Sequence, residues 1–127
     1  MIPGTSRNHP SFRRSFHFAV QGFRIALATE RNIKVMLGGA AFAILMGLVL
    51  RIDLISWAVI LVCCGLVIAT ELINTAIETI VDLVSPEFHP LAGRAKDVAA
   101  AASWTVCLTA ALVGLLVYAR ALLVLFT

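Results

Sequence analysis

The chain has 127 residues, of which 61% are hydrophobic and only 13% charged, with a formal net charge of +3. That balance excludes an ordinary soluble domain, which needs far more polar surface, and the length suffices for one compact unit but not for two. Nucleic-acid binding is also disfavoured, because no basic run is interleaved with aromatics.

Residues 1–10 contain two prolines, a glycine and small polar residues, and read as a flexible tail. No apolar core with a small-residue cleavage site follows, so the tail does not read as a signal peptide. From 11 to 31 the pattern changes. Phe12, Phe16, Val20, Phe23 and Leu27 recur at three- and four-residue steps, while Arg13, Arg14, Gln21, Arg24 and Glu30 fill other positions. A Phe-rich side opposed to an Arg-bearing side predicts an amphipathic helix lying in the membrane interface.

Three apolar stretches follow, predicted as transmembrane helices over about 33–51, 54–84 and 94–124. The uncharged part of the first, Val35 to Leu50, is short against the ~20 residues of a full span, and Lys34 and Arg51 can snorkel at its ends. Arg51-Ile-Asp53 forms a minimal turn. The second stretch is uncharged from Leu54 to Thr70 and then turns polar, and Ser85-Pro86 stops it. Ser85 to Asp97 reads as the one sizeable polar loop, and the third span reaches Arg120 before its last apolar residues. Cys63, Cys64 and Cys107 lie inside the apolar runs, with no CxxC pair or Cys/His cluster, and are read as small apolar packers.

Arg7, Arg13, Arg14, Arg24, Arg31, Lys34, Arg94 and Lys96 fall on one side of this topology, and Arg51 and Arg120 on the other. The positive-inside rule then puts the N-terminus and the Glu71–Asp97 region at the cytoplasmic face. Of the seven acids only Asp53 lies elsewhere.

The chemistry concentrates at Glu71-Leu-Ile-Asn74-Thr-Ala-Ile-Glu78-Thr-Ile-Val-Asp82. At ~100° per residue, Asn74, Glu78 and Asp82 fall at roughly −60°, −20° and +20° from Glu71, so four polar groups share one narrow helix face. Carboxylates at membrane depth are expensive and usually functional. Acids at the interface, with Arg94 and Lys96 near them, suit a divalent metal and phosphates, and hard cations such as Mg²⁺ take carboxylate oxygens. Glu30 and Glu78 can serve so if the interfacial helix folds back beside the second span. Glu71, near the hydrocarbon edge, is placed to reach a lipid hydroxyl as general base. The same acids also suit an ion- or proton-translocating protein, or a scaffold whose acids satisfy helix ends, and spacing alone does not choose among these.

The run from Glu71 to Asp82, followed by Pro86-Glu-Phe-His-Pro and Gly93-Arg-Ala-Lys-Asp97, closely resembles the prokaryotic diacylglycerol kinase family of small membrane lipid kinases. Gly22-Phe-Arg24 and Glu30-Arg-Asn extend the resemblance from about Ser11 to the end. It implies an all-α homotrimer of three-span protomers in the bacterial cell membrane, with active sites shared between neighbours. ATP is the implied phosphoryl donor and Mg²⁺ the implied metal. On this resemblance Glu71 is the catalytic base with Asn74 beside it, and Glu30 and Glu78 hold the metal with the nucleotide. Glu87, His89, Lys96 and Asp97 match nucleotide-contacting positions. Asp82, Arg24 and Arg94 match supporting positions, and Asp82 is equally read as holding the helix end. An arginine near the start of the amphipathic helix, Arg13 or Arg14, is a further nucleotide candidate. Glu30-Arg-Asn-Ile-Lys and Val84-Ser-Pro-Glu-Phe-His-Pro-Leu look like the branch typical of Gram-positive bacteria, which implies undecaprenol as the lipid, with diacylglycerol as the alternative.

Overall fold

A computed structural model describes residues 11–127, and the predicted flexible tail at 1–10 lies outside them. All regular structure among the described residues is helical: α1 (Phe12–Thr29), α2 (Arg31–Val49), α3 (Leu54–Val84) and α4 (Pro90–Phe126). The last three are long and apolar enough to cross a membrane. The two longest, α3 and α4, form the main antiparallel pair. α2 packs chiefly on α3, and α1 touches both α2 and α3.

Ser11 caps α1, its hydroxyl accepting from the Arg14 N–H at 3.4 Å, which satisfies one of the orphan donors of the first turn. α1 ends at Glu30, an extended residue (φ −113°, ψ 122°) whose N–H still reaches the Ala26 carbonyl at 2.8 Å. One extended residue separates two helices, so α2 begins at Arg31 and ends at Val49, two residues ahead of the predicted 33–51. No glycine or proline marks this break. Ala26 and Ile33, buried on either side of it, tie the two helices to the bundle.

The α2–α3 turn is a Schellman motif built without glycine. Arg51 takes the left-handed conformation (φ 52°), its N–H directed at the Leu48 carbonyl, and the Ile52 N–H returns to the Gly47 carbonyl at 3.2 Å. Asp53 then precedes α3, and its carboxylate accepts from the Ser56 hydroxyl. That hydrogen bond holds the Asp53 carboxyl below its usual range. Leu50, Ile52 and Ile60 are buried at this end, with Trp57, Val117 and Tyr118 packed on them. The Tyr118 hydroxyl donates to the Ala43 carbonyl, pinning α4 to α2.

At the opposite end the loop is only 85–89. His89 is the N-cap of α4, its Nδ1 accepting from the Leu91 N–H at 3.1 Å, and Pro90 is the first helical residue. Proline at that position loses no hydrogen bond and presets φ for the helix. The predicted loop to Asp97 is therefore corrected. Arg94, Lys96 and Asp97 ride on the first turns of α4, and their polarity had concealed a helix start.

Gly47 is the tightest contact in the turn: a Cβ there would lie 2.8 Å from Trp57 Cη2 and 3.0 Å from Ile52 Cδ1. Gly47→Ala is expected to destabilise the fold by about 1–3 kcal/mol through overpacking, measured by unfolding in detergent. Trimming the neighbour in Gly47→Ala/Trp57→Leu recovers part of that loss relative to Trp57→Leu alone. Gly114→Ala, whose new methyl would make ordinary contact with Tyr118 at 3.7 Å, serves as the near-neutral control.

Candidate active site at the α3–α4 seam

The acid face of α3 turns inward against α4. Glu71 retains 3% of its surface and Asn74 7%. A carboxylate this deep is costly unless it is hydrogen-bonded, and the partner comes from the other helix: Ser103 Oγ donates to Glu71 Oε2 at 2.7 Å. Asn74 Nδ2 donates along the helix to Glu78 Oε1 at 3.2 Å. Asn74 Oδ1 is buried with no partner among the described residues. A buried acceptor left open costs about 1–3 kcal/mol, which marks it as a place for an incoming donor or cation.

These groups line a cleft of about 250 Å³ together with Asn32 of α2 and Trp104 of α4. Its inner wall, formed by Val35, Met36 and Cys107, also lines a larger apolar groove of about 560 Å³ that follows α2, α3 and α4 toward Tyr118. The acid-lined cleft thus lies against an apolar groove of the size that usually accepts small-molecule ligands, the two sharing one wall. The arrangement suits an amphiphile with a polar group at Glu71 and a tail in the groove.

One turn beyond Glu78, Lys96 Nζ of α4 meets Asp82 Oδ1 of α3 at 2.5 Å. The pair is exposed and contributes little to stability, but it ties the two helices together where the cleft opens. Asp82 therefore acts here as a tie between helices.

Of the predicted site residues, Glu71, Asn74 and Glu78 converge on the cleft. The others do not line it. Glu30 is half-buried at the α1–α2 break, two residues before the cleft residue Asn32. Arg24, Glu87, Arg94 and Asp97 are exposed, and His89 is engaged as a helix cap. No three His, Cys, Asp or Glu side chains among the described residues converge on a metal position. What the cleft lining offers a cation is oxygen, from the Glu71 and Glu78 carboxylates and the open Asn74 Oδ1, a donor type that suits Mg²⁺, which keeps water and phosphate oxygens as its further ligands.

Ser103, Asn32 and Trp104 are missed by sequence reasoning. Ser103 stands in a run of alanines thirty-two residues from Glu71, and its only signal was a hydroxyl in a stretch otherwise free of polar need. Asn32 lies within the Glu30-Arg-Asn string without a role assigned to it.

A family model described as "Prokaryotic diacylglycerol kinase" matches residues 17–118. The chain belongs to the prokaryotic diacylglycerol kinase family. Relatives include an "Undecaprenol kinase" of Bacillus subtilis, 36% identical over 84% of this chain and 87% of its own length. A "Diacylglycerol kinase" of Helicobacter pylori is 32% identical over 80% and 79% of the two chains. The "Diacylglycerol kinase" of Escherichia coli K12 is 32% identical over 67% and 70%. Family membership makes this chain a membrane lipid kinase, and the matched residues contain the whole cleft.

Ser103→Ala leaves Glu71 buried without its hydroxyl donor. A hydrogen bond to a charged group contributes about 1.5–3 kcal/mol, so the variant is expected to unfold more readily in detergent and to lose roughly tenfold or more in turnover. Ser103→Thr, which keeps the donor, retains most of both. Equal behaviour of the alanine and threonine variants would remove Ser103 from the site.

Proposed function

We propose that this kinase transfers the γ-phosphoryl group of ATP to the primary hydroxyl of undecaprenol, with Glu71 as general base. The observation that carries the reading is a buried carboxylate, oriented by Ser103, where the polar cleft meets the apolar groove. A lipid alcohol seated with its tail in the groove presents its hydroxyl to Glu71. Glu71 takes the hydroxyl proton as the lipid oxygen attacks the γ-phosphorus and ADP leaves, giving the lipid phosphate. Ser103 holds the carboxylate toward that oxygen, and the apolar walls of Val35, Met36 and Cys107 exclude water, which would otherwise compete as acceptor.

Glu78 and Glu30 would hold Mg²⁺, which when bound neutralises the phosphates and aligns the donor. Glu30 joins from the α1–α2 break, and Asn74 supports Glu78 through its amide. Glu87, His89, Lys96 and Asp97 would face the nucleotide at the mouth, with Arg24, Arg94 and Arg13 or Arg14 in support.

Undecaprenol is favoured over diacylglycerol by the proline-flanked loop of the Gram-positive branch and by the Bacillus subtilis relative. The diacylglycerol kinases among the relatives make that lipid the alternative. α1, with Phe12 and Phe16 largely exposed beside Arg13 and Arg14, lies on the cytoplasmic surface of the bacterial membrane. The protein works as a homotrimer whose neighbours complete one another's sites.

Purified enzyme is expected to phosphorylate undecaprenol faster than diacylglycerol when both are offered at equal mole fraction in one bilayer. Glu71→Gln should lower turnover by about 10²–10⁴ on either lipid. Glu78→Gln should mainly raise the Mg²⁺ and ATP requirement, and chelation of Mg²⁺ should stop transfer reversibly. Undiminished turnover in Glu71→Gln would sink the base assignment. Preference for diacylglycerol reverses the substrate assignment alone.

A further inference from the structure

The end of the bundle away from Glu71 carries a second polar cleft. Arg51 of the α2–α3 turn and Arg120 of α4 line a cavity of about 260 Å³ with Asp53 and Ser56, walled by Val124 and Leu125. Neither arginine has a carboxylate within ion-pair distance, since the Lys96–Asp82 pair is the only salt bridge among the described residues. Asp53 is occupied by the Ser56 hydroxyl. Two guanidiniums and one carboxylate leave the cleft with a single net positive charge.

Two features set these arginines apart from ordinary snorkelling residues. Arg51 holds φ 52° at the position of a Schellman turn where glycine is strongly preferred. Such a conformation is unfavourable in a non-glycine residue and persists only when the surroundings impose it. Here Gly47, Ile52 and Trp57 lock the turn. Arg120, for its part, is not at a helix end: α4 continues through Phe126, with Leu123, Val124 and Phe126 at 67, 66 and 86% exposure.

Depth identifies the ligand. The uncharged part of α4 between Asp97 and Arg120, Val98 to Ala119, covers ~33 Å, close to the ~30 Å thickness of a hydrocarbon core. Arg120 and Arg51, exposed and lining the same cleft, therefore sit at the level of the far headgroups. Planar guanidinium forks match phosphate oxygens bidentately. A phosphodiester bearing one negative charge balances the single positive charge of the cleft.

We propose that Arg51 and Arg120 form a binding site for the phosphodiester headgroup of an anionic phospholipid in the leaflet opposite the catalytic cleft. The site is separate from the substrate lipid, whose hydroxyl is phosphorylated at the other end of the bundle, and it anchors the α2–α3 turn and α4 to the far leaflet.

The test is native mass spectrometry and thermal unfolding of the full chain in detergent, with phosphatidylglycerol, phosphatidylcholine or inorganic phosphate added. Wild type should retain phosphatidylglycerol over phosphatidylcholine and be stabilised by it, while inorganic phosphate at the same concentration has no effect. Arg51→Ala/Arg120→Ala should weaken phosphatidylglycerol retention roughly tenfold or more, the loss expected from removing charge-assisted hydrogen bonds. Arg51→Gly gives the sharpest discrimination. Relieved of the strained φ, it should unfold at a higher temperature than wild type without lipid, yet gain less from phosphatidylglycerol. Equal retention of both lipids by wild type overturns the site. So does undiminished retention in the double variant, which would assign the bound lipid to the basic residues of α1. Stabilisation by inorganic phosphate alone replaces the lipid with a free anion and overturns the proposal equally.

Discussion

The structure turns on a single hydrogen bond between helices, from Ser103 on α4 to the buried carboxylate of Glu71 on α3. An unpartnered carboxylate at this depth would be costly to keep in the seam. With the serine in place, Glu71 stays inside and the whole acid face of α3 is turned toward α4. Asn74 and Glu78, at the following helical steps, must then line the same cleft. Asp82, one turn further, must meet whatever α4 presents there, which is Lys96. The seam is therefore zipped by polar contacts on the Glu71 side and not by large apolar side chains, and this is why a cleft remains there at all.

The other end of the bundle is built on the opposite plan. Leu50, Ile52, Ile60, Trp57 and Tyr118 fill the space between α2, α3 and α4, and the short turn leaves the chain no slack. These contacts hold the three helices in register at the turn, and the clefts at the two ends lie to either side of them. The apolar groove between those ends is lined in part by Gly39, Ala40, Ala111 and Gly114. These small residues keep open a channel that larger ones would close.

The long helices were legible because hydrophobic runs of membrane length admit few other readings. The acid face was legible because helical periodicity alone aligns Glu71, Asn74, Glu78 and Asp82. The break near Glu30 and the turn at Arg51 fell within two residues of expectation, although Glu30 breaks a helix without proline and Arg51 stands where glycine is expected. The early start of α4 was hidden, because His89 caps the helix beneath a polar stretch that looked like loop. Ser103 was missed for a different reason. Its role exists only across a contact between residues thirty-two positions apart, and no local pattern encodes a pairing between helices.

Charge accounting at the cleft supports the proposed cation. Glu71 and Glu78 both face it, and the nearest basic side chain on α4, Lys96, is already paired with Asp82. A polyphosphate approaching these carboxylates meets like charge in surroundings of low dielectric, where repulsion is far stronger than in water. Arginine clamps, one common answer to phosphate, do not line the cleft. The surplus of oxygen donors over nitrogen donors favours a different answer, in which carboxylate and amide oxygens share a hard cation with the phosphates. Asn74 fits that logic: its amide nitrogen is committed to Glu78, and its oxygen is left open in the cleft. The same residue thus steadies one acid and offers a ligand or acceptor of its own, which is what a site assembled on a single helix face requires when no basic side chain lines it.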